Sequence, residues 1–131
     1  MELTRSEMEI MDVFWASESP LSRSDLLSCS DGKTWKDSSV HILLNGLLSK
    51  GLIHEAGLVK RRKTYGRLFA PSMTREEYFV ENVFSYRQKP APVKLFAAML
   101  ERIPLEAEEL SAMGALIAQA QARSAEDPPA I

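Results

Sequence analysis

The fold is decided by residues 35–51, which read WKDSSVHILLNGLLSKG. Apolar residues recur there at the i, i+3, i+4, i+7, i+8 spacing that puts them on one face of an α-helix. They are Val40, Leu43, Leu44, Leu47 and Leu48. Lys50 and Gly51 follow, a cation in the last turn and a glycine that can take a positive φ, which is a common helix ending. The pattern predicts a helix with one narrow buried stripe.

The opposite face of this predicted helix is polar but almost uncharged. A helical wheel with 100° per residue puts there, or on its flanks, Ser38, Ser39, His41, Ile42, Asn45, Gly46 and Ser49. In a DNA major groove, serine and asparagine hydrogen-bond to base edges, and an apolar side chain contacts a thymine methyl. The helix alone fits this role and burial against another protein equally well.

Two shorter helices precede this one in the sequence. Thr4 and Glu7 have the spacing of a capping box, which predicts a helix from there to about Ala16. Pro20 separates it from a second helix that begins at Ser22 and ends in a run of turn-forming residues.

A β-hairpin is predicted after the decisive helix. Residues 52–59 lead into the basic run Lys60, Arg61, Arg62 and Lys63, and the residues up to Pro71 alternate with period two. Three helices followed by a basic-tipped hairpin describe a winged helix. In that fold the third helix enters the major groove and the wing contacts phosphates.

The distribution of charge supports a DNA-binding surface. The chain of 131 residues has 16 Lys and Arg against 18 Asp and Glu, a net charge of −2. Residues 31–67 nevertheless contain eight basic and three acidic residues, a local charge of +5. A positive stretch in an otherwise neutral chain suits phosphate contacts. On this observation alone, a solvated loop remains the alternative.

The C-terminal part is predicted to contain three helices. One is opened by a capping box at Thr74 and runs to about Arg87, one runs from Pro92 to Arg102, and the last begins at Pro104. A homodimer would bury their apolar faces, and packing against the chain's own first domain is the alternative. The candidate dimerisation residues are Phe84, Phe96, Leu100, Leu110, Met113 and Ile117.

The expected fold is mainly α with a small β-hairpin wing: a winged helix-turn-helix followed by a helical dimerisation region. We predict a DNA-binding domain over residues 1–72, the dimerisation region over 73–123 and a flexible tail over 124–131. Predicted base-reading residues are Ser38, Ser39, His41, Ile42 and Asn45. Predicted phosphate contacts are Lys36, Lys60, Arg61, Arg62 and Lys63.

Several motifs together resemble the penicillinase-repressor family (BlaI/MecI/CopY type). They are Leu3-Thr4 with residues 7–11 and Trp15, residues 35–40 with Leu43, Leu44, Leu47, Lys50 and Gly51, and residues 69–71 with 76–78. The resemblance covers roughly residues 3–85. It implies a homodimeric winged-helix repressor on a palindromic operator. It also implies a membrane sensor or protease as a partner, which in the family commonly relieves repression by cleavage in the dimerisation region.

The chain departs from the family pattern at identifiable positions. Family members often have Thr in place of Ile42 and Arg in place of Gly46, so the resemblance implies a different operator sequence. The Asn-Phe pair that is cleaved in antibiotic-responsive relatives aligns near Val83-Phe84, where the asparagine is missing. The C-terminal cysteine pairs of copper-responsive relatives are also absent from this sequence.

Other function classes find little support in the sequence. Cys29 is the single cysteine, His41 and His54 are the only histidines, and no phosphate loop or nucleophile motif is present. We therefore expect no enzyme activity, no metal and no cofactor. No signal-peptide pattern or membrane-length apolar run occurs, so a cytoplasmic protein without direct membrane binding is expected. A winged-helix protein-interaction module and a small-molecule-responsive regulator remain alternatives.

Overall fold

The computed structural model of the protein describes residues 2–29 and 35–126. The helices of the first part are α1 (Arg5–Ala16), α2 (Arg23–Ser28) and α3 (Val40–Ser49), with a 3-10 turn at Asp37–Ser39 directly before α3. The strands are β1 (Leu21–Ser22), β2 (Ile53–Arg61) and β3 (Thr64–Pro71). The remaining helices are α4 (Arg75–Phe84), α5 (Pro92–Arg102) and α6 (Ala107–Glu126).

Capping boxes begin three of the helices. In α1 the Thr4 side chain accepts a hydrogen bond from the backbone N–H of Glu7, and the Glu7 carboxylate accepts one from that of Thr4. Ser22 and Asp25 form the same reciprocal pair in α2, and Thr74 does so in α4. The predicted starts of these helices are therefore confirmed. Helix α4 ends at Phe84, before the predicted Arg87.

The sheet has three antiparallel strands in the order β1-β3-β2. The predicted hairpin is confirmed, and the two-residue strand β1 is added to it, with Leu21 opposite Phe69. A bulge leaves Ala56 unpaired between Glu55 and Gly57. Gly57 has φ 136°, a backbone conformation that favours glycine.

The core of the first part lies where α1, α2, α3 and the sheet meet. Its twelve buried apolar side chains, among the described residues, are Ile10, Met11, Phe14, Leu26, Trp35, Val40, Leu44, Leu47, Leu52, Ile53, Phe69 and Tyr78. Three of the five residues in the predicted stripe of α3 are fully buried, and Leu43 and Leu48 pack against this core. The fold is thus mainly α with a small sheet, as the sequence predicts.

The chain divides into two compact units, Met1–Lys89 and Pro90–Ile131. Helix α4 belongs to the first, because Tyr78 is buried in its core and stacks against Trp15 at a centroid distance of 5.6 Å. The compact unit therefore extends beyond residue 72, the predicted end of the DNA-binding domain.

The second unit contains α5 and α6. Helix α6 begins at Ala107, three residues after the predicted Pro104, because the Glu109 carboxylate accepts a hydrogen bond from the Glu106 backbone N–H at 3.1 Å. It continues to Glu126, so the first residues of the predicted tail are helical. Residues 127–131 of that tail lie outside the described part of the chain.

Candidate nucleic-acid interface

Helix α3 presents three of the predicted base-reading side chains to solvent. His41, Ile42 and Asn45 are exposed, and Ile42 is 71% exposed although it is a large apolar side chain. Ser38 lies in the preceding 3-10 turn and is exposed, whereas Ser39 is half-buried. The structure thus brings four of the five predicted residues to one accessible surface.

Gly46 does not share that surface, so the helical-wheel placement of this residue is wrong. A Cβ atom added to Gly46 would lie 2.9 Å from Oε2 of Glu7, a side chain of α1. The glycine therefore faces α1, where its missing side chain leaves room for a carboxylate. Glycine costs about 1 kcal/mol relative to alanine in a helix interior, and this close approach explains why it is present.

The carboxylate beside Gly46 anchors the C-terminal end of α3. Glu7 is only 5% exposed, and Lys50 Nζ donates to its Oε1 at 2.6 Å. Lys50 also donates to the backbone oxygen of Glu2 at 3.1 Å. Burial raises the pKa of Glu7, but the hydrogen bonds from Lys50 and Thr4 outweigh it, so the pKa lies below its usual value. Glu7 therefore stays ionised and ties α3 to α1.

The tip of the wing is a two-residue turn. Arg61 lies opposite Thr64, which leaves Arg62 and Lys63 as the turn residues, and Arg62 has φ 45°. Two of the four basic residues predicted for a loop thus lie on β2 or at its end. Lys60, Arg62 and Lys63 are exposed, and within the described residues their side chains have no hydrogen-bond or ion-pair partner. These three cations can meet an external anion.

Arg61 has a different environment from its basic neighbours. Its Nη2 donates to Ser22 Oγ at 2.7 Å, and Ser22, the residue that caps α2, is only 2% exposed. The backbone N–H of Ser22 holds the pKa of Asp25 below its usual value, and the Arg61 charge adds to this effect. Arg61 therefore connects the wing to the start of α2. This contact joins residues 39 positions apart, so no local sequence signal predicts it.

A cleft of about 230 Å³ lies beside Arg61, where α2, α3 and the wing meet. It is lined by Arg23, His41, Arg61 and Arg67, together with Ser22, Ser24, Leu44, Gly66 and Phe69. Arg67 lies over the Phe69 ring at 5.1 Å and has Glu55 at 3.6 Å. Arg23 and Arg67 were missed as candidate anion contacts, although the alternation of β3 puts Arg67 on the same face as Phe69.

The remaining predicted phosphate contact, Lys36, is exposed just before the 3-10 turn that leads into α3. An open depression of about 440 Å³ adjoins it, and its lining includes Ile42 and Ser39. One cation therefore lies next to the N-terminal end of the exposed α3 surface, in addition to those of the wing.

The predicted dimerisation residues lie on helices of both compact units. Phe84 is half-buried in α4 of the first unit, whereas the other five lie on α5 and α6 of the second. Phe96 and Met113 are half-buried, and Leu100, Leu110 and Ile117 are 40–46% exposed. No residue of α5 or α6 is fully buried.

Among residues 2–29 and 35–126, no group of three or more His, Cys, Asp or Glu side chains could hold a metal ion. None of the helices described has both the length and the apolar character that crossing a membrane requires.

The uncharged exposed surface of α3 and the cationic wing together define a winged-helix DNA-binding protein. The sequence model of the penicillinase repressor family matches residues 3–119. The chain therefore belongs to the penicillinase repressor family, whose members are DNA-binding regulators rather than enzymes. It is a transcriptional repressor. No curated protein matches the chain.

Proposed function

We propose that the protein represses transcription as a homodimer on a palindromic operator, with α3 in the major groove and the wing on phosphates. The observation that carries this proposal is that one compact unit contains both an uncharged, exposed α3 surface and the exposed cations of the wing. Groove-facing residues read bases, and surrounding cations position the protein on the backbone. His41, Ile42 and Asn45 are the principal base contacts, and Ser38 and Ser39 lie at the N-terminal end of the same surface.

The predicted phosphate contacts have three different environments, which support different roles. Arg62, Lys63 and Lys60 project from the wing without a partner and would bind phosphate directly. Arg61 is held by Ser22, so its main role would be to fix the angle of the wing. Lys36 would contact the backbone beside the N-terminal end of α3.

Dimerisation is proposed from the apolar surface of α5 and α6. Leu100, Leu110 and Ile117 leave large apolar areas in water, and a second copy of the chain would cover them. A two-fold axis would then place two α3 helices about 34–36 Å apart, the spacing of successive major grooves on one side of DNA. A palindromic operator follows from this symmetry.

A signal partner is a further part of the proposal. Family resemblance suggests a membrane sensor or a protease that relieves repression, acting on the dimerisation region. Val83 and Phe84, the positions nearest to the family's cleavage site, are half-buried in α4, so cleavage there would require the helix to open locally.

Selection of genomic fragments by the purified chain, together with its mass in solution, tests the proposal. We expect enriched fragments with an inverted repeat whose half-sites lie about one DNA turn apart, and a mass of two chains. Sequence-independent enrichment with a two-chain mass would contradict base reading by α3. An enriched site without symmetry, bound by a single chain, would contradict the dimer.

The wing assignment has its own matched test. Replacing Arg62 and Lys63 by alanine should weaken binding to all DNA sequences and reduce the salt slope by about one unit for each lost phosphate contact. The control replaces Lys89 and Lys94, two exposed lysines that are not part of the wing, and removes the same charge. Equal losses in the two variants would show that only net charge matters and would refute the wing contacts.

A further inference from the structure

His41 and Asn45 form a hydrogen-bonded pair on the exposed surface of α3. They are four residues apart and therefore neighbours on one face of the helix, and Asn45 Nδ2 lies 3.3 Å from His41 Nε2. An amide nitrogen donates and never accepts, so this contact is a hydrogen bond in the tautomer whose Nε2 is free to accept. The contact fixes which way the Asn45 amide is turned.

We propose that His41 holds the Asn45 amide in the orientation that reads an adenine, so that the pair sets specificity rather than Asn45 alone. This inference rests on the proposed function, because it assumes that α3 lies in a major groove. One N–H of the amide is used by His41, which leaves its second N–H and its carbonyl oxygen. Among the described residues, no other hydrogen bond to the Asn45 side chain competes for these two groups.

The free donor and acceptor match one base better than the other three. Adenine presents an acceptor, N7, beside a donor, the N6 amino group, on its major-groove edge. Guanine presents two acceptors, cytosine a donor, and thymine an acceptor next to a methyl group. An asparagine that offers one N–H and one oxygen side by side can therefore bond twice only to adenine.

His41 contributes by restricting the amide before DNA binds. Asn45 is exposed, so without the ring its side chain would populate several rotamers and both amide orientations. Ordering such a side chain on binding reduces affinity, and preorganisation removes part of that loss. In addition to a base contact of its own, His41 is thus a positioning residue for Asn45, and its removal should lower discrimination in favour of the adenine that Asn45 reads.

The experiment uses the full chain and a duplex taken from the genomic selection. The adenine read by Asn45 is the position at which Asn45→Ala loses its base preference. It is replaced in turn by guanine and by 7-deazaadenine, which keeps the amino group but lacks the N7 acceptor. Wild-type protein should lose roughly five- to 150-fold in affinity on the guanine duplex. It should also lose affinity on the 7-deazaadenine duplex.

Three variants then isolate the role of His41. His41→Ala should reduce the preference for adenine over guanine by about two- to tenfold. His41→Gln should restore most of it, because the glutamine oxygen can accept the same N–H. In the Asn45→Ala background, His41→Ala should change the preference no further, because His41 acts on this base through Asn45. The double-mutant cycle measures this coupling between the two residues.

Several outcomes would overturn the inference. One is an adenine preference that survives His41→Ala unchanged, and another is an effect of His41→Ala that persists without Asn45. A wild-type affinity that is equal on adenine and 7-deazaadenine would also refute it. These results leave DNA binding intact, whereas failure of the wild-type chain to enrich any DNA would refute the proposed function itself. Unchanged melting temperatures of the variants show that the chain still folds.

Discussion

The two compact units differ in how they treat their apolar side chains. The winged-helix unit encloses twelve of them in a core, among the residues described, whereas α5 and α6 fully bury none. Burial of a large apolar side chain contributes about 1.5–3 kcal/mol, so the first unit has its own source of stability. The described helices of the second unit contain only half-buried and exposed apolar side chains, so they gain less from burial. The exposed apolar side chains of this unit are those that the proposed homodimer would cover.

The largest expected effect comes from the core of the first unit. Phe14 is almost completely buried between the helices and the sheet, so Phe14→Ala should lower the free energy of unfolding by about 3–5 kcal/mol. Urea titration at low protein concentration measures it. Leu116→Ala, at a side chain of α6 that is 62% exposed, is the matched truncation in the second unit and should cost less than about 1 kcal/mol. Similar costs for both variants would remove the contrast between the units.

The next prediction tests whether a second copy of the chain packs against the apolar surface of α6. Ile117→Glu should shift the dimer to monomer by at least about tenfold in dissociation constant, because an unpaired carboxylate is costly to bury in an apolar interface. Ala115→Glu introduces the same charge on the opposite face of α6 and is the control. Sedimentation at several protein concentrations distinguishes them. A dimer that persists in Ile117→Glu but not in Ala115→Glu would place the interface on the other face.

Sequence reasoning succeeded where a structure depends on nearby residues. The two predicted capping boxes, at Thr4 and Thr74, and the stripe of α3 depend on positions close together in the sequence, and all are confirmed. It failed where a contact joins distant positions. Gly46 faces Glu7 because α1 crosses α3, and the two-residue β1 is too short to show a period. Neither feature has a local signal.

The same distinction applies to the candidate site. Its exposed α3 residues follow from helical periodicity, since a buried stripe dictates which residues face outward. The unequal roles of Arg61 and Arg62 do not follow from the sequence, because adjacent arginines look alike until the fold brings Ser22 to one of them. The α3 residues of the site could thus be predicted from the sequence, whereas the role of each wing cation depends on the partner that the fold brings to it.

A smaller effect on stability is expected within the first unit, from the ion pair between Glu7 of α1 and Lys50 at the end of α3. Because the pKa of Glu7 is lower in the folded chain, its stabilising effect is present above the ordinary glutamate pKa and is lost as pH falls through the folded-state pKa. Glu7→Gln should cost about 1–2 kcal/mol at pH 7 and progressively less below about pH 4.3. Thermal unfolding between pH 3 and pH 7 measures this. A cost that is independent of pH would mean that the Glu7 charge contributes nothing.

The smallest effect separates two neighbouring arginines of the wing. Arg61→Ala removes the hydrogen bond to the buried hydroxyl of Ser22, so it should lower the free energy of unfolding by about 1 kcal/mol. Arg62→Ala removes an exposed, unpaired side chain and should change it by less than about 0.5 kcal/mol. The salt dependence of DNA binding should show the opposite order: Arg62→Ala should change it more than Arg61→Ala, because Arg62 would contact phosphate directly. Arg61→Ala should weaken binding mainly by freeing the wing, with a smaller change in salt slope than Arg62→Ala. Equal changes in stability and in salt slope for the two variants would mean that the two arginines have the same role. The hydrogen bond between Arg61 and Ser22 would then have no part in DNA binding.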